Sequence, residues 1–132
     1  MGTWGTGAFE NDGASDWAWE LEKAADLSLL QQALQPANGY LEAPEGELLV
    51  AASQVLAAAL GGPAGELPEG VCQWLQQHPQ LPFSQLLNQA HHGLLRVLGA
   101  DSELAELWGE SEEGAEWRRG VENLAAGLRP PS

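Results

Sequence analysis

Apolar side chains return every three or four residues along most of the chain, which is the period of an amphipathic helix. This pattern predicts helices at about residues 13–25, 27–34, 45–60, 68–77, 83–98 and 113–128, and a brief helix after residue 102. No segment alternates apolar and polar residues for long enough to predict a strand. The pattern therefore predicts an all-α protein.

The segment 45–60 is apolar on every side of the predicted helix. Leu49, Val50, Val55 and Leu56 point in different directions, and alanines fill the positions between them. A helix that is apolar all round is buried on most of its sides. We expect this helix at the centre of the structure, with Leu60 among its buried residues.

Short breaks separate the predicted helices. Pro36, the Asn38-Gly39 pair and the run Gly61-Gly62-Pro63-Ala64-Gly65 mark turns. Because short connections place successive helices side by side, we predict a bundle of six or seven short helices. The whole chain, residues 1–132, is expected to form one domain that ends in a frayed tail at 129–132.

The first twelve residues differ from the rest because they combine glycines with two large aromatic side chains. Trp4 and Phe9 favour burial, while glycines at positions 2, 5 and 7 disfavour a regular helix. We therefore predict an ordered N-terminal arm packed on the core. Asn11 or Asp12 is expected to cap the first helix, and Asp101 or Ser102 to cap the brief one.

The charge and the cysteine content of the chain argue against some classes of function. The 132 residues include 19 acidic and 5 basic side chains, for a formal net charge of −14. So few cations disfavour a nucleic-acid partner, because phosphate binding needs clustered Lys and Arg. A single cysteine, Cys72, excludes an internal disulfide and a four-cysteine zinc site.

The chain shows neither a secretory signal nor a membrane-spanning pattern. The N-terminus lacks a basic region followed by an apolar one. The uncharged stretch at 48–65 is interrupted by Ser53 and Gln54 and ends in a Gly-Gly-Pro break. We therefore predict a soluble, cytoplasmic protein without membrane contacts.

The charge is concentrated at the two ends of the chain. Residues 1–60 hold nine acids and one lysine, whereas residues 61–99 hold two acids and one arginine. Residues 100–132 hold eight acids and three arginines. Two interpretations stay open: the acids lie on solvated helix faces, or they form a recognition surface for a basic protein partner.

Asp12, Asp16 and Glu20 recur at four-residue spacing and so share one side of the first helix. They either sit there because acids favour a helix N-terminus, or bind a cation together with Glu103, or hold an arginine. We expect an ion pair between Asp16 and Arg118 or Arg119, because cations are scarce in this chain. Such a pair would join the first helix to the last.

The residues that catalysis and metal binding require are not combined in a recognisable motif. The adjacent His91 and His92 point about 100° apart on a helix, which is unsuitable for clamping one metal ion. Cys72 lies in an apolar segment without a nearby base, so we expect it to be buried and structural. We predict no catalytic residue and no cofactor.

Six tryptophans are many for a chain of this length. Trp17 and Trp19 are about 200° apart around one helix, so one neighbour cannot cover both. Either the N-terminal arm covers the second indole, or that indole is exposed on an acidic face. An exposed tryptophan in such a place is typical of a binding hot spot.

The opening residues, Met1 to Gly7 followed by Phe9, Asn11-Asp12 and Asp16-Trp17, resemble the start of the bacterial family named domain of unknown function 4259. Tyr40-Leu41-Glu42, Ser102-Glu103-Leu104, Leu107-Trp108 and Glu116-Trp117 agree with it in order. Ala8 departs from the proline that is usual in this family before Phe9. The resemblance implies a small helical protein and no particular activity.

Two clusters in this resemblance are candidate binding sites. One contains Asn11, Asp12 and Asp16, beside Glu20, and the other contains Ser102, Glu103 and Trp108. We expect a non-enzymatic interaction module, similar to an immunity protein or an inhibitor, that binds a basic partner. The alternative is a metal-binding protein or metal-dependent enzyme that uses Asp12, Asp16, Glu20 and Glu103.

Overall fold

The computed structural model describes residues 7–36, 39–62 and 67–129. They form α1 (Asp12–Leu21), α2 (Ser28–Leu34), α3 (Ala43–Ala59), α4 (Glu69–Gln77), α5 (Leu87–Leu98), α6 (Glu103–Gly109) and α7 (Gly114–Gly127). A 3₁₀ helix, Phe83–Leu86, leads directly into α5. One parallel bridge pairs Leu41 with Ser102. The predicted all-α bundle of six or seven short helices is confirmed.

The apolar helix α3 lies at the centre of the bundle. It packs against α1, α2, α5, α6 and α7. Leu49, Val55 and Leu56 have no exposed surface, and Val50 has little. The prediction of a central helix is therefore confirmed by its burial on several sides.

Leu60 is an exception to this burial, since 41% of its surface is exposed. α3 ends at Ala59, and Gly61 adopts a positive φ of 78° just after the end. The amides of Gly61 and Gly62 donate to the carbonyls of Ala58 and Ala57. This pair of bonds is a Schellman motif, which turns the chain away from the core. The expected burial of Leu60 was wrong because the residue belongs to this turn.

The contact between α3 and α5 depends on Gly93. A methyl group at Gly93 would lie 2.8 Å from Cδ1 of Leu49, closer than real contacts permit. Because Gly93 has no side chain, Leu49 packs against its backbone, and α3 and α5 lie close together.

The predicted end of the first helix at residue 25 was wrong by several residues, whereas the bounds of the predicted helix at 83–98 are confirmed. α1 ends at Leu21, because the amides of Lys23 and Ala24 bond three residues back and tighten the chain into a turn. The first turn of the predicted helix at 83–98 is 3₁₀, where Gln85 donates to the carbonyl of Pro82.

The described part of the N-terminal arm is folded against the bundle. The amide of Glu10 donates to the carbonyl of Gly7, and half-buried Phe9 packs on the core. Trp4 and the tail residues 130–132 lie outside the described residues, so their predicted roles stay predictions. None of the helices in the described segments has both the length and the apolar character needed to cross a bilayer.

Candidate functional site

Asn11, the first binding candidate, caps α1. Its Oδ1 accepts a hydrogen bond from the amide of Ala14 at 2.8 Å, and its Nδ2 donates to the carbonyl of Ala8 at 3.3 Å. The side chain is buried, with 6% of the residue exposed. Because both ends of the amide are occupied, Asn11 has a structural role that the sequence predicted for position 11 or 12.

The acids after this cap lie on the solvent side of α1. Trp17 and Leu21 face the core, whereas Asp12, Asp16 and Glu20 are exposed. No hydrogen bond or ion pair engages these three carboxylates within the described segments. They are therefore free to meet a molecule from outside.

Trp19 shares this side of the helix. It follows Asp16 by three residues and Asp12 by seven, spacings that bring side chains to one face. The indole is 67% exposed, the largest fraction among the exposed large apolar residues that the structure describes. We call Asp12, Asp16, Trp19 and Glu20 the α1 face. The alternative left open by the sequence is thus resolved: Trp17 is buried and Trp19 is exposed.

The predicted ion pair between Asp16 and an arginine of the last helix was wrong. Nη2 of Arg118 donates to the carbonyl of Leu98 at 3.1 Å, and Arg119 is exposed. Among the described residues no ion pair joins Asp16 to either arginine. The physical reason is topological, because α1 packs against α3 and α4 while α7 packs against α3, α5 and α6.

The second candidate cluster connects α6 to the chain before α3. The amide of Leu41 donates to the carbonyl of Asp101 at 2.8 Å, and the amide of Glu103 donates to the carbonyl of Leu41 at 2.9 Å. Ser102 is fully buried, and its hydroxyl accepts from the amide of Ala105. Ser102 is therefore the N-cap of α6 and is not accessible to a ligand.

The carboxylate of Glu103 bonds to a distant segment of the chain. Its Oε1 accepts a hydrogen bond from the amide of Ala43 at 2.7 Å. Ala43 is the first residue of α3, and the residue before it, Glu42, makes no capping bond with its own side chain. Glu103 thus satisfies a free amide and places negative charge at the N-terminus of the central helix.

Tyr40 was not identified from the sequence. Its hydroxyl donates to Oε2 of Glu106 at 2.6 Å. This bond to a carboxylate favours the protonated phenol and raises the pKa of Tyr40 to about 12. We call Tyr40, Ser102, Glu103 and Glu106 the α6 clamp. Its only signal in the sequence is the Tyr40-Leu41-Glu42 motif, which does not indicate a partner 66 residues away.

Trp108 stacks on Trp117, with ring centroids 6.0 Å apart and planes 8° from parallel. Trp108 is half-buried and Trp117 is buried. Beside them, Arg118 and the small residues of the α6–α7 turn line a cleft of about 200 Å³. The stack ties α6 to α7, so the main contact of this binding candidate is internal.

The carboxylates of the metal alternative are not brought together. Asp12, Asp16 and Glu20 lie on α1, whereas the carboxylate of Glu103 is bonded to Ala43. Over the described ranges, no three His, Cys, Asp or Glu side chains are placed to hold one metal ion. Cys72, predicted to be buried, is only half-buried.

Together the fold and these surfaces define a small all-α protein with an exposed tryptophan among acids on one outer helix. The family model described as Domain of unknown function (DUF4259) matches residues 2–120, so the chain belongs to this family. The resemblance carried by the opening residues and by residues 102–108 is thereby confirmed. No curated protein and no solved structure matches the chain.

Proposed function

We propose that this protein is a non-enzymatic interaction module that binds a basic protein partner through the α1 face. The observation that carries the proposal is the 67% exposure of Trp19. A large indole left in water is unfavourable for an isolated chain but useful in an interface, where tryptophan is enriched among hot spots.

The charge around Trp19 defines the class of partner. Asp12 and Asp16 precede it on the same side of α1, Glu20 lies at the edge, and all three are exposed. Acidic groups around an apolar anchor attract a basic surface, accelerate its association and repel acidic proteins. The net charge of −14 extends this attraction over the whole molecule.

Small size and acidity favour a neutralising role. In this proposal the protein acts in the bacterial cytoplasm as an immunity-like or inhibitor-like partner. It covers a positively charged surface of the protein that it binds.

Quantitative affinity capture tests the proposal. The baits are the wild-type chain, Trp19→Ala and the double variant Asp12→Asn/Asp16→Asn. Matched controls are Leu107→Ala, which alters another exposed apolar residue, and Glu112→Gln/Glu122→Gln, which removes two exposed acids elsewhere. We expect one basic protein to be retained by the wild type and both controls, to be lost from both α1 variants, and to elute in high salt.

Equal capture on all five baits would contradict the proposal. Loss from the control baits instead of the α1 variants would place the interface elsewhere. Retention of the partner in high salt would contradict the electrostatic part of the argument.

A further inference from the structure

Lys23 already places a cation over the exposed indole. Its Nζ lies 5.1 Å from the centroid of the Trp19 ring. Lys23 is the only lysine of the chain and sits in the turn after α1, where its amide donates to the carbonyl of Glu20. The geometry thus provides an internal example of what the α1 face attracts.

We propose that the Trp19 ring is the seat for an arginine guanidinium of the partner, and that Lys23 occupies this seat in the free protein and is displaced on binding. This inference rests on the proposed function and specifies the partner's contacting group. Lys23 then acts as an intramolecular competitor that lowers the apparent affinity.

Arginine fits the seat better than lysine for two reasons. A guanidinium is planar and weakly hydrated, so it stacks on an indole more favourably than an ammonium group does. Asp16 lies one helical turn before Trp19, and a guanidinium over the ring has further N–H groups to donate to such a carboxylate. The ammonium of Lys23 is instead limited by its own tether.

The expected strength of the competition is modest. At an exposed site a cation–π contact favours the closed arrangement by about two- to fivefold. With two to five closed molecules for each open one, about one third to one sixth of the molecules are competent, so freeing the ring strengthens binding of an external cation by roughly three- to sixfold.

A titration with a blocked tetra-arginine peptide tests this inference on the full chain. The readouts are the indole Nε1–H resonance of Trp19 in NMR spectra, assigned by its disappearance in Trp19→Leu, and the backbone amide resonances of α1, which also report binding in variants that lack the indole. Tetra-lysine and tetra-citrulline peptides serve as matched ligands, because citrulline keeps the shape of arginine without its charge. We expect the arginine peptide to bind most tightly, the lysine peptide several-fold more weakly, and the citrulline peptide not to bind.

The variant Lys23→Gln leaves the Trp19 ring uncovered, but it also removes a positive charge that repels the cationic peptide. Two controls separate these effects. Arg119→Gln removes an exposed positive charge from α7. Lys23→Gln in the Trp19→Leu background retains the charge effect and removes the ring. We expect Lys23→Gln to strengthen arginine-peptide binding about three- to sixfold in the wild-type background. We expect clearly smaller increases from Arg119→Gln and from Lys23→Gln in the Trp19→Leu background.

Each contrary result has a defined meaning. If binding depends on Asp12 and Asp16 but is unchanged by Trp19→Leu and Lys23→Gln, the guanidinium seat is overturned while the acidic interaction face stands. Equal binding of all three peptides would also overturn the seat. If the peptides behave as expected but no basic protein depends on the α1 face in the capture experiment, the proposed function fails and the cation seat remains.

Discussion

The α1 face and the α6 clamp begin alike in sequence but differ in what their acids do. Each follows a polar N-cap, Asn11 or Ser102, and each places acids in the first turns of a helix. In the clamp, Glu103 and Glu106 bond to Ala43 and Tyr40 of another segment. On α1, no described segment offers such donors to Asp12 or Asp16. A nearby free N–H or O–H, rather than the motif, therefore decides whether an acid is structural.

The largest expected effect concerns the turn that follows the clamp. A side chain at Gly114 would overlap the backbone carbonyl of Trp108, which cannot move aside as a flexible side chain can. We expect Gly114→Ala to lower the free energy of unfolding in urea by about 2–3 kcal/mol. The matched control is Gly120→Ala on the same helix, where a methyl group meets no atom within 4 Å. It should raise stability by about 0.5–1 kcal/mol, and equal effects of the two changes would refute the close packing of this turn.

Glu103→Ala tests whether the clamp is structural. Its loss leaves the amide of Ala43 without its acceptor at the start of the central helix. We expect a cost of about 1–2 kcal/mol in urea unfolding, the range for loss of a helix cap. Glu112→Ala, an exposed acid in the turn before α7, is the control and should cost under about 0.5 kcal/mol. If Glu103→Ala costs as little unfolding free energy as the control, then Glu103 is not structural and the α6 clamp does not differ from the α1 face in this respect.

Tyr40 gives the clamp a spectroscopic signal. It is the only tyrosine, so tyrosinate absorbance reports this residue alone. Its pKa is raised from 10.0 to about 12, mainly by the hydrogen bond to Glu106. The bond therefore contributes stability below pH 10 that is lost as the pH rises toward 12. We expect the absorbance midpoint near pH 12 in the folded wild type and a lower midpoint in Glu106→Ala, and a wild-type midpoint near 10 would show that the bond is absent in solution.

The smallest expected effect on stability is at the α1 face. Asp16 is exposed and has no partner in the described segments, so Asp16→Asn should change the free energy of unfolding by less than about 0.5 kcal/mol. An ion pair with Arg118 or Arg119 would instead cost about 3–5 kcal/mol when broken. A loss of that size would restore the pair and remove Asp16 from the interaction surface.

Local features of the fold were predictable from the sequence. Trp117, Val121, Leu124 and Leu128 recur at helical spacing and are all buried. The caps at Asn11 and Ser102 follow from short polar side chains just before apolar periods. Such features depend on residues within one or two turns, which a linear pattern records.

Contacts between distant segments were not predictable in the same way. The bond from Ala43 to Glu103 joins residues 60 apart, and the placement of α7 away from α1 depends on how the whole bundle packs. The scarcity of cations favoured a pair between Asp16 and an arginine, but charge counts contain no information on which helices are neighbours. For Trp17 and Trp19 the spacing excluded only that one neighbour covers both indoles, and the packing of α1 decided that Trp17 is buried and Trp19 exposed.

Site-specific photo-crosslinking in cells tests most directly the claim that the α1 face, and not the rest of the acidic surface, binds the partner. A benzoyl-phenylalanine side chain is introduced in place of Glu20, at the edge of the α1 face, or in place of Glu122, an exposed acid of α7. We expect position 20 to crosslink to a basic protein, Trp19→Ala to abolish this product, and position 122 to give no such product. A basic protein crosslinked equally from both positions, or from position 20 regardless of Trp19, would contradict binding through the α1 face.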